Sequence, residues 1–236
     1  MTLFYRHVCL SLSVLLLASI VFSLPAFAVP HSSIIALYDV EDGSIFDDAV
    51  DALRVSSRDA GCEVARVGVI TGAQGSMEIV QPNRLVQLTC EAPVLDHEDG
   101  RAVLNGLSNA ALLIAAVEGR FLVGPLEETG TGFGQRDYIL KLSRYSNSDP
   151  DARDKDLADL GTLVGVLDDR YTNEVIIEVH RAIGFETPDE AVLIYYADAE
   201  SGARFRENNS SVLERIGLFN RDHLTAFVYY PVKLLR

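Results

Sequence analysis

Between Pro125 and Arg136 the chain carries three glycines in seven residues, Glu128-Thr129-Gly130-Thr131-Gly132-Phe133-Gly134. On either side of this break, strand-like and helix-like patterns follow one another in the same order. A glycine cluster of this kind reads as a hinge between two units. As a phosphate cradle it has neither the G-x-G-x-x-G spacing nor a Walker lysine. Glu127 and Glu128 would also repel a phosphate.

In the first half, Ser33 to Asp39 is apolar and strand-like. Ser44-Ile45-Phe46-Asp47 resembles a capping box. Phe46, Ala49, Val50 and Leu53 then share one helical face, up to Gly61. Cys62 to Thr71 and Arg84 to Glu91 alternate as two strands of a hairpin with a long connection. Placing Cys62 opposite Cys90 sets Val64 against Leu88 and Arg66 against Val86. Leu104, Leu107, Ala111 and Ile114 predict a second helix ending at Gly119, and Phe121 to Gly124 a last short strand.

The second half repeats the order. Asp137 to Arg144 is a strand. Asp149-Pro150 opens a helix with proline at its first position, and Gly161 ends it. Thr162 to Leu167 and Asn173 to Arg181 are then strands joined by a turn. A longer helix through Leu157, Leu160, Val164 and Leu167 fits the same spacing, but Gly161 and Gly165 weigh against it. Thr187-Pro188-Asp189-Glu190 has the features of a helix start, followed by Val192, Tyr195, Tyr196 and Ala199. Ser211-Val212-Leu213-Glu214 caps a further helical segment, and Leu224 to Pro231 is a final strand.

Each half therefore reads as βαββαβ. The expectation is an α+β protein of two ferredoxin-like modules in tandem, with antiparallel sheets and helices on one face. Residues 29–125 and 137–236 form the modules and 126–136 the linker. The second half resembles the dimeric α+β barrel modules. In those, an apolar strand, here Val175 to Val179, leads to a Pro-Asp/Glu-capped helix with paired aromatics, here Tyr195-Tyr196. The resemblance is architectural and implies no catalytic signature; the stretch His180 to Glu186 departs from the usual tight strand-to-helix turn.

Residues 1–28 read as a secretory signal. Arg6 precedes an apolar run from Val8 to Leu24, closed by Pro25-Ala26-Phe27-Ala28. The run is short for a membrane span, so we expect cleavage after Ala28 and a periplasmic or secreted product without a stable span. Cleavage removes Arg6 and no acid, so the net charge moves from −14 to −15. Such a charge disfavours nucleic acid and anionic lipid. Cys62 and Cys90 are then the only cysteines, and in an oxidising compartment they read as a disulfide. No spacing calls for zinc or another cofactor.

The best candidate site is the open face of the second sheet, where Lys141, Glu178, His180 and Tyr229 could line a pocket. His180 would shuttle a proton and Glu178 would flank it, two residues away on the same face. A half-exposed polar strand face would show the same alternation. Asp149, Asp151, Asp154 and Asp156 lack the glycine and distal glutamate of a calcium loop. Asp96-His97-Glu98-Asp99 reads as a loop leading into a helix, and no nucleophile elbow is present. From this we expect an exported, non-enzymatic binding or accessory protein for an unknown small molecule or protein. The alternatives are an oxygenase- or isomerase-like enzyme with its pocket around His180, and an assembly subunit. An open sheet face would also allow a homodimer.

Overall fold

The computed structural model describes residues 32–124 and 135–235. The expected signal segment, its cleavage site and most of the linker lie outside the described residues.

The first module runs β1 (Ser32–Asp39), α1 (Gly43–Ser56), β2 (Cys62–Ile70), a two-residue β3 (Gln74–Gly75), β4 (Arg84–Cys90), α2 (Glu98–Asn105) and β5 (Leu112–Val123). The second runs β6 (Asp137–Tyr145), α3 (Pro150–Gly165), β7 (Thr172–Ile183), β8 (Glu190–Tyr196), α4 (Ala199–Asn208), α5 (Ser210–His223) and β9 (Leu224–Leu234). Within the modules the strands lie in the orders β2-β4-β1-β5 and β7-β8-β6-β9, which are the same order. Every pairing is antiparallel. The chain is an α+β protein of two ferredoxin-like modules. β5 pairs with β7, and β9 pairs with β2 through Gly68↔Leu234 to Ile70↔Val232. These two seams close the sheets into one barrel within a single chain.

Alternation divides the side chains into an inner and an outer set. Ile35, Leu37, Leu140, Leu142, Ile177 and Tyr230 belong to one buried cluster inside the barrel, drawn from both modules. The open sheet face expected for each module is thus covered by the other. On the outside, α1 and α2 bury Tyr38, Phe46, Leu88 and Leu104. α3, α4 and α5 bury Val164, Phe205, Val212 and Phe219 over the second sheet.

Cys62 and Cys90 are directly opposite and bonded. Val64 faces Leu88 as expected, but Arg66 faces Gln87, not Val86. A bulge between Val64 and Arg66 inserts one residue, which sends Arg66 into the barrel and gives Val67 the place opposite Val86.

Four other expectations are corrected. Asp42, not Ser44, caps α1, accepting from the Ser44 hydroxyl and from the Ser44 and Ile45 amides. This holds the Asp42 carboxyl below its usual range. The helix expected through Ala111 and Ile114 ends at Asn105, and Leu112–Val123 is a strand. β5 is paired on both sides, and Ala115 and Val117 face inward while Ala116 faces the helices. A strand apolar on both faces has no period by which to tell it from a buried helix. Residues 162–167 are not a strand: α3 continues to Gly165. The glycine penalty of about 1 kcal/mol each is offset by burial of Leu160 and Val164. Finally, Thr187 to Glu190 starts a strand, not a helix. β8 is central, between β6 and β7, and the helix begins after Asp198, whose carboxylate accepts from the Ser201 amide at 2.6 Å. Tyr195 and Tyr196 accordingly point to opposite faces. Tyr195 lies against Tyr138, and Tyr196 against Phe205 under the helices.

Candidate functional site

On the helix-covered face of the second sheet, three strands bring polar residues into one row. Glu178 of β7 stands directly opposite Glu190 of β8, and Glu190 stands opposite Ser143 of β6. The N-terminal half of α3 crosses above this row. Between them lies a cavity of about 420 Å³. Glu178 and Glu190 line it with Asp189, Tyr145, and Arg153 and Asp154 of α3. Leu122, Leu157 and Val179 supply its apolar wall.

The charges are unequally matched. Arg153 pairs with Asp154 at 2.7 Å and lies 4.6 Å from the Tyr145 ring centre. Arg120 pairs with Glu178 at 2.5 Å. Asp189 accepts the Tyr145 amide at 2.6 Å. Glu190 makes no ion pair within 4.0 Å among the described residues. The Ser143 hydroxyl is fully buried and has no hydrogen-bond partner among the described residues. Burial, with the Glu190 carboxylate next in effect, raises the Tyr145 pKa well above the ordinary phenol range. Tyr145 therefore stays protonated and able to donate.

Of the residues singled out in the sequence, Lys141 and Tyr229 are cross-strand neighbours on β6 and β9. The Lys141 amine lies 5.7 Å from the Phe219 ring centre. Burial pushes its pKa down, and the charge of Glu190 opposes this. Tyr229 exchanges hydrogen bonds with Asn220 of α5, and burial raises its pKa. Glu178 lines the cavity, while His180 stands apart at the seam between the modules. His180 is 42% exposed, with Nε2 3.7 Å from the buried Glu118 carboxylate. Glu118 in turn accepts the Val94 and Leu95 amides at 2.7 and 3.1 Å.

The sequence reading missed Ser143, Tyr145, Arg153, Asp189 and Glu190 as members of one site. Ser143 and Tyr145 continue the alternation of Lys141 and could have been found from it. Asp189 and Glu190 have the look of helix-capping acids. Of the four aspartates near α3, Asp149 caps the helix through the Ala152 amide and Asp156 holds His223 at 2.9 Å.

The first module supplies an internal comparison. Its corresponding layer, between sheet and helices, is an apolar core of Ile34, Ala36, Tyr38, Phe46, Leu88 and Leu95. The polar row and its cavity belong to the second module.

No protein-family model matches the chain, and no curated protein matches it. Solved structures do match in fold. A protein assigned as a monooxygenase from Fusobacterium nucleatum subsp. nucleatum aligns over 89% of this chain and 94% of its own, with TM-score 0.56 and 7% identity. A protein assigned as a chlorite dismutase aligns over 86% and 95%, with TM-score 0.56 and 10% identity. A protein assigned as a dyp-type peroxidase from Shewanella oneidensis aligns over 87% and 94%, with TM-score 0.51 and 9% identity. The expectation of a non-enzymatic binding or accessory protein is corrected by these neighbours, which are named for enzymes. At such identities the likeness establishes the fold: two ferredoxin-like modules of the kind that these proteins share.

Proposed function

We propose that the protein is a small-molecule enzyme, oxygenase- or isomerase-like, with its site in the cavity of the second module. The observation that carries this is the contrast between modules. The first module's layer is packed with apolar side chains and its buried Glu118 is tied to the Val94 and Leu95 amides, while the second keeps opposed carboxylates and a protonated phenol around a cavity. Like charges opposed across neighbouring strands cost stability, and a site that moves protons is the use that accounts for their retention. The enzyme names of the structural neighbours support the class.

The chemistry this lining supports is transfer of a proton at a bound substrate. Glu190 is the acceptor and Tyr145 the donor to a developing oxyanion. Both isomerisation and cofactor-independent oxygenation can begin with such a step. A haem iron would need a His, Cys, Met or tyrosinate ligand. Among the described residues lining the cavity there is no His, Cys or Met, and Tyr145 is held in its protonated form. These residues do not fit that group, and no step is routed through it. We also propose export of the mature chain, a reading supported by the Cys62–Cys90 bond.

The test is conversion of a panel of small polar compounds, followed by mass spectrometry, with wild type, Glu190→Gln and Tyr145→Phe. A compound turned over by wild type should lose roughly a hundred- to ten-thousand-fold in rate in Glu190→Gln, with unchanged melting. Equal turnover by the variants would remove the site from this cavity. Binding in the cavity with no conversion of any compound would overturn the enzyme reading.

A further inference from the structure

We propose that Lys141 is a nucleophilic amine that takes a small aldehyde or ketone as an imine. Lys141 is not part of the cavity lining. The inference therefore does not rest on the proton transfer assigned to Glu190 and Tyr145.

Lysine is rare in this chain: Lys141, Lys155 and Lys233, among 20 lysines and arginines. Arginine stays charged in a protein, whereas a desolvated lysine can lose its proton and become a nucleophile. Lys155 stands on α3 with its side chain 74% exposed, paired with Asp159 at 3.0 Å. The hydrogen bond to that carboxylate raises its pKa. Lys233 is exposed on β9. Lys141 differs from both. It sits on β6, between β8 and β9, and its side chain enters the layer between sheet and helices. Its strand neighbours are Val192 and Tyr229, and the buried ring of Phe219 lies 5.7 Å from its amine.

The polar groups on the elements around it are engaged elsewhere or lie too far away. On β9, the Tyr229 hydroxyl exchanges hydrogen bonds with Asn220. On α3 and α5, Asp156 and His223 hold each other at 2.9 Å. On β8, Glu190 acts on the amine from beyond 4.0 Å. Among the described residues, the amine thus has neither a hydrogen bond nor an ion pair. An ammonium left so in an apolar layer is costly. Burial lowers the Lys141 pKa, with Glu190 opposing. The amine is nevertheless not sealed in as the Ser143 hydroxyl is, and Lys141 is only part-buried, so a small carbonyl compound can reach it. Phe219 and Val192 favour one that carries an apolar group. The lone pair of the neutral amine forms the N–C bond as the C=O π bond opens. Both amine protons end on the oxygen, which leaves as water.

The experiment is reductive labelling of the folded, disulfide-bonded protein with propanal and cyanoborohydride near neutral pH, with the labelled lysines located by mass spectrometry. Lys141 should label at least tenfold faster than Lys155 or Lys233, and its rate should level off at a lower pH than theirs. In urea the three should label alike. A lysine that only packs beneath Phe219 is shielded and would label more slowly than the exposed pair. That result, or equal rates in the folded protein, would overturn the proposal. Lys141→Arg should remove the fast phase, and a fast phase that persists would overturn it as well. Should that variant fail to fold, the wild-type map decides the matter alone. Labelling needs no turnover, so its failure leaves the cavity reading intact. A compound panel without conversion leaves the labelling result standing.

Discussion

Glu118 and His180 show how differently two neighbouring polar residues can matter. Glu118 is fully buried and its carboxylate accepts two backbone amides and the Ser32 hydroxyl. Glu118→Ala would leave the Val94 and Leu95 amides without an acceptor. Since orphaned buried donors cost about 1–3 kcal/mol each, the variant should lose several kcal/mol in urea unfolding. His180, half-exposed at 3.7 Å from that carboxylate, should change stability by no more than about 0.5 kcal/mol when replaced by alanine. It should also leave binding in the cavity unaffected. A large stability loss in His180→Ala would show that the histidine supports the Glu118 cluster.

At the scale of elements, glycines separate positions set by propensity from positions set by packing. Gly161 lies within α3, and a methyl group there would meet nothing within 4 Å. Gly161→Ala should stabilise by roughly 0.5–1 kcal/mol, read as a raised urea midpoint. Gly119 lies in β5 beside β7, where a methyl group would stand 2.2 Å from the Glu178 carbonyl oxygen. Gly119→Ala should destabilise, and because it displaces Glu178 it should also weaken ligand binding in the cavity. The helix expected to end at Gly119 misread a residue whose smallness lets two backbones approach.

Across the whole molecule, Arg66 and Glu174 join the modules through the barrel interior. They belong to β2 and β7 and are 3% and 1% exposed. Gln87 also accepts from Arg66, and Arg136 lies 3.8 Å from Glu174. Breaking this pair from one side should cost about 3–5 kcal/mol. Arg66→Met with Glu174→Leu should recover much of the loss, as buried ion pairs are often replaceable by apolar residues. A double variant as unstable as the sum of the singles would show that the network, not the pair, holds the barrel.

Buried tyrosines, inside the barrel and under the helices, set the alkaline limit. Burial raises Tyr138, Tyr171, Tyr196 and Tyr230 from 10.0 to about 12. Between these values the folded chain keeps protons that the unfolded chain has released. Stability should therefore be level below pH 10 and fall from about pH 10 to 12, by up to about 1.4 kcal/mol per pH unit for each such tyrosine. Urea titrations across that range should show the fall, and Tyr230→Phe should lessen it.

The repeat of strand and helix order, the pairing of Cys62 with Cys90 and the α5–β9 end of the chain were legible in the sequence. They depend on local alternation, on caps and on a covalent bond between matched strand ends. β5 and β8 were not legible, because a strand buried on both faces loses the period that marks it. The bulge at Arg66 was hidden for a related reason: one extra residue reverses every later side chain, and no single residue announces it. The site was legible only in part. Alternation puts Lys141, Glu178 and Tyr229 on one face of the second sheet, but the face expected to be open is the one that the helices cover. That the two halves would close on each other, turning that outer face into the one with a cavity, was decided by the β5–β7 and β9–β2 seams. Those contacts join residues more than fifty positions apart, and their energy comes from burying two sheet faces at once.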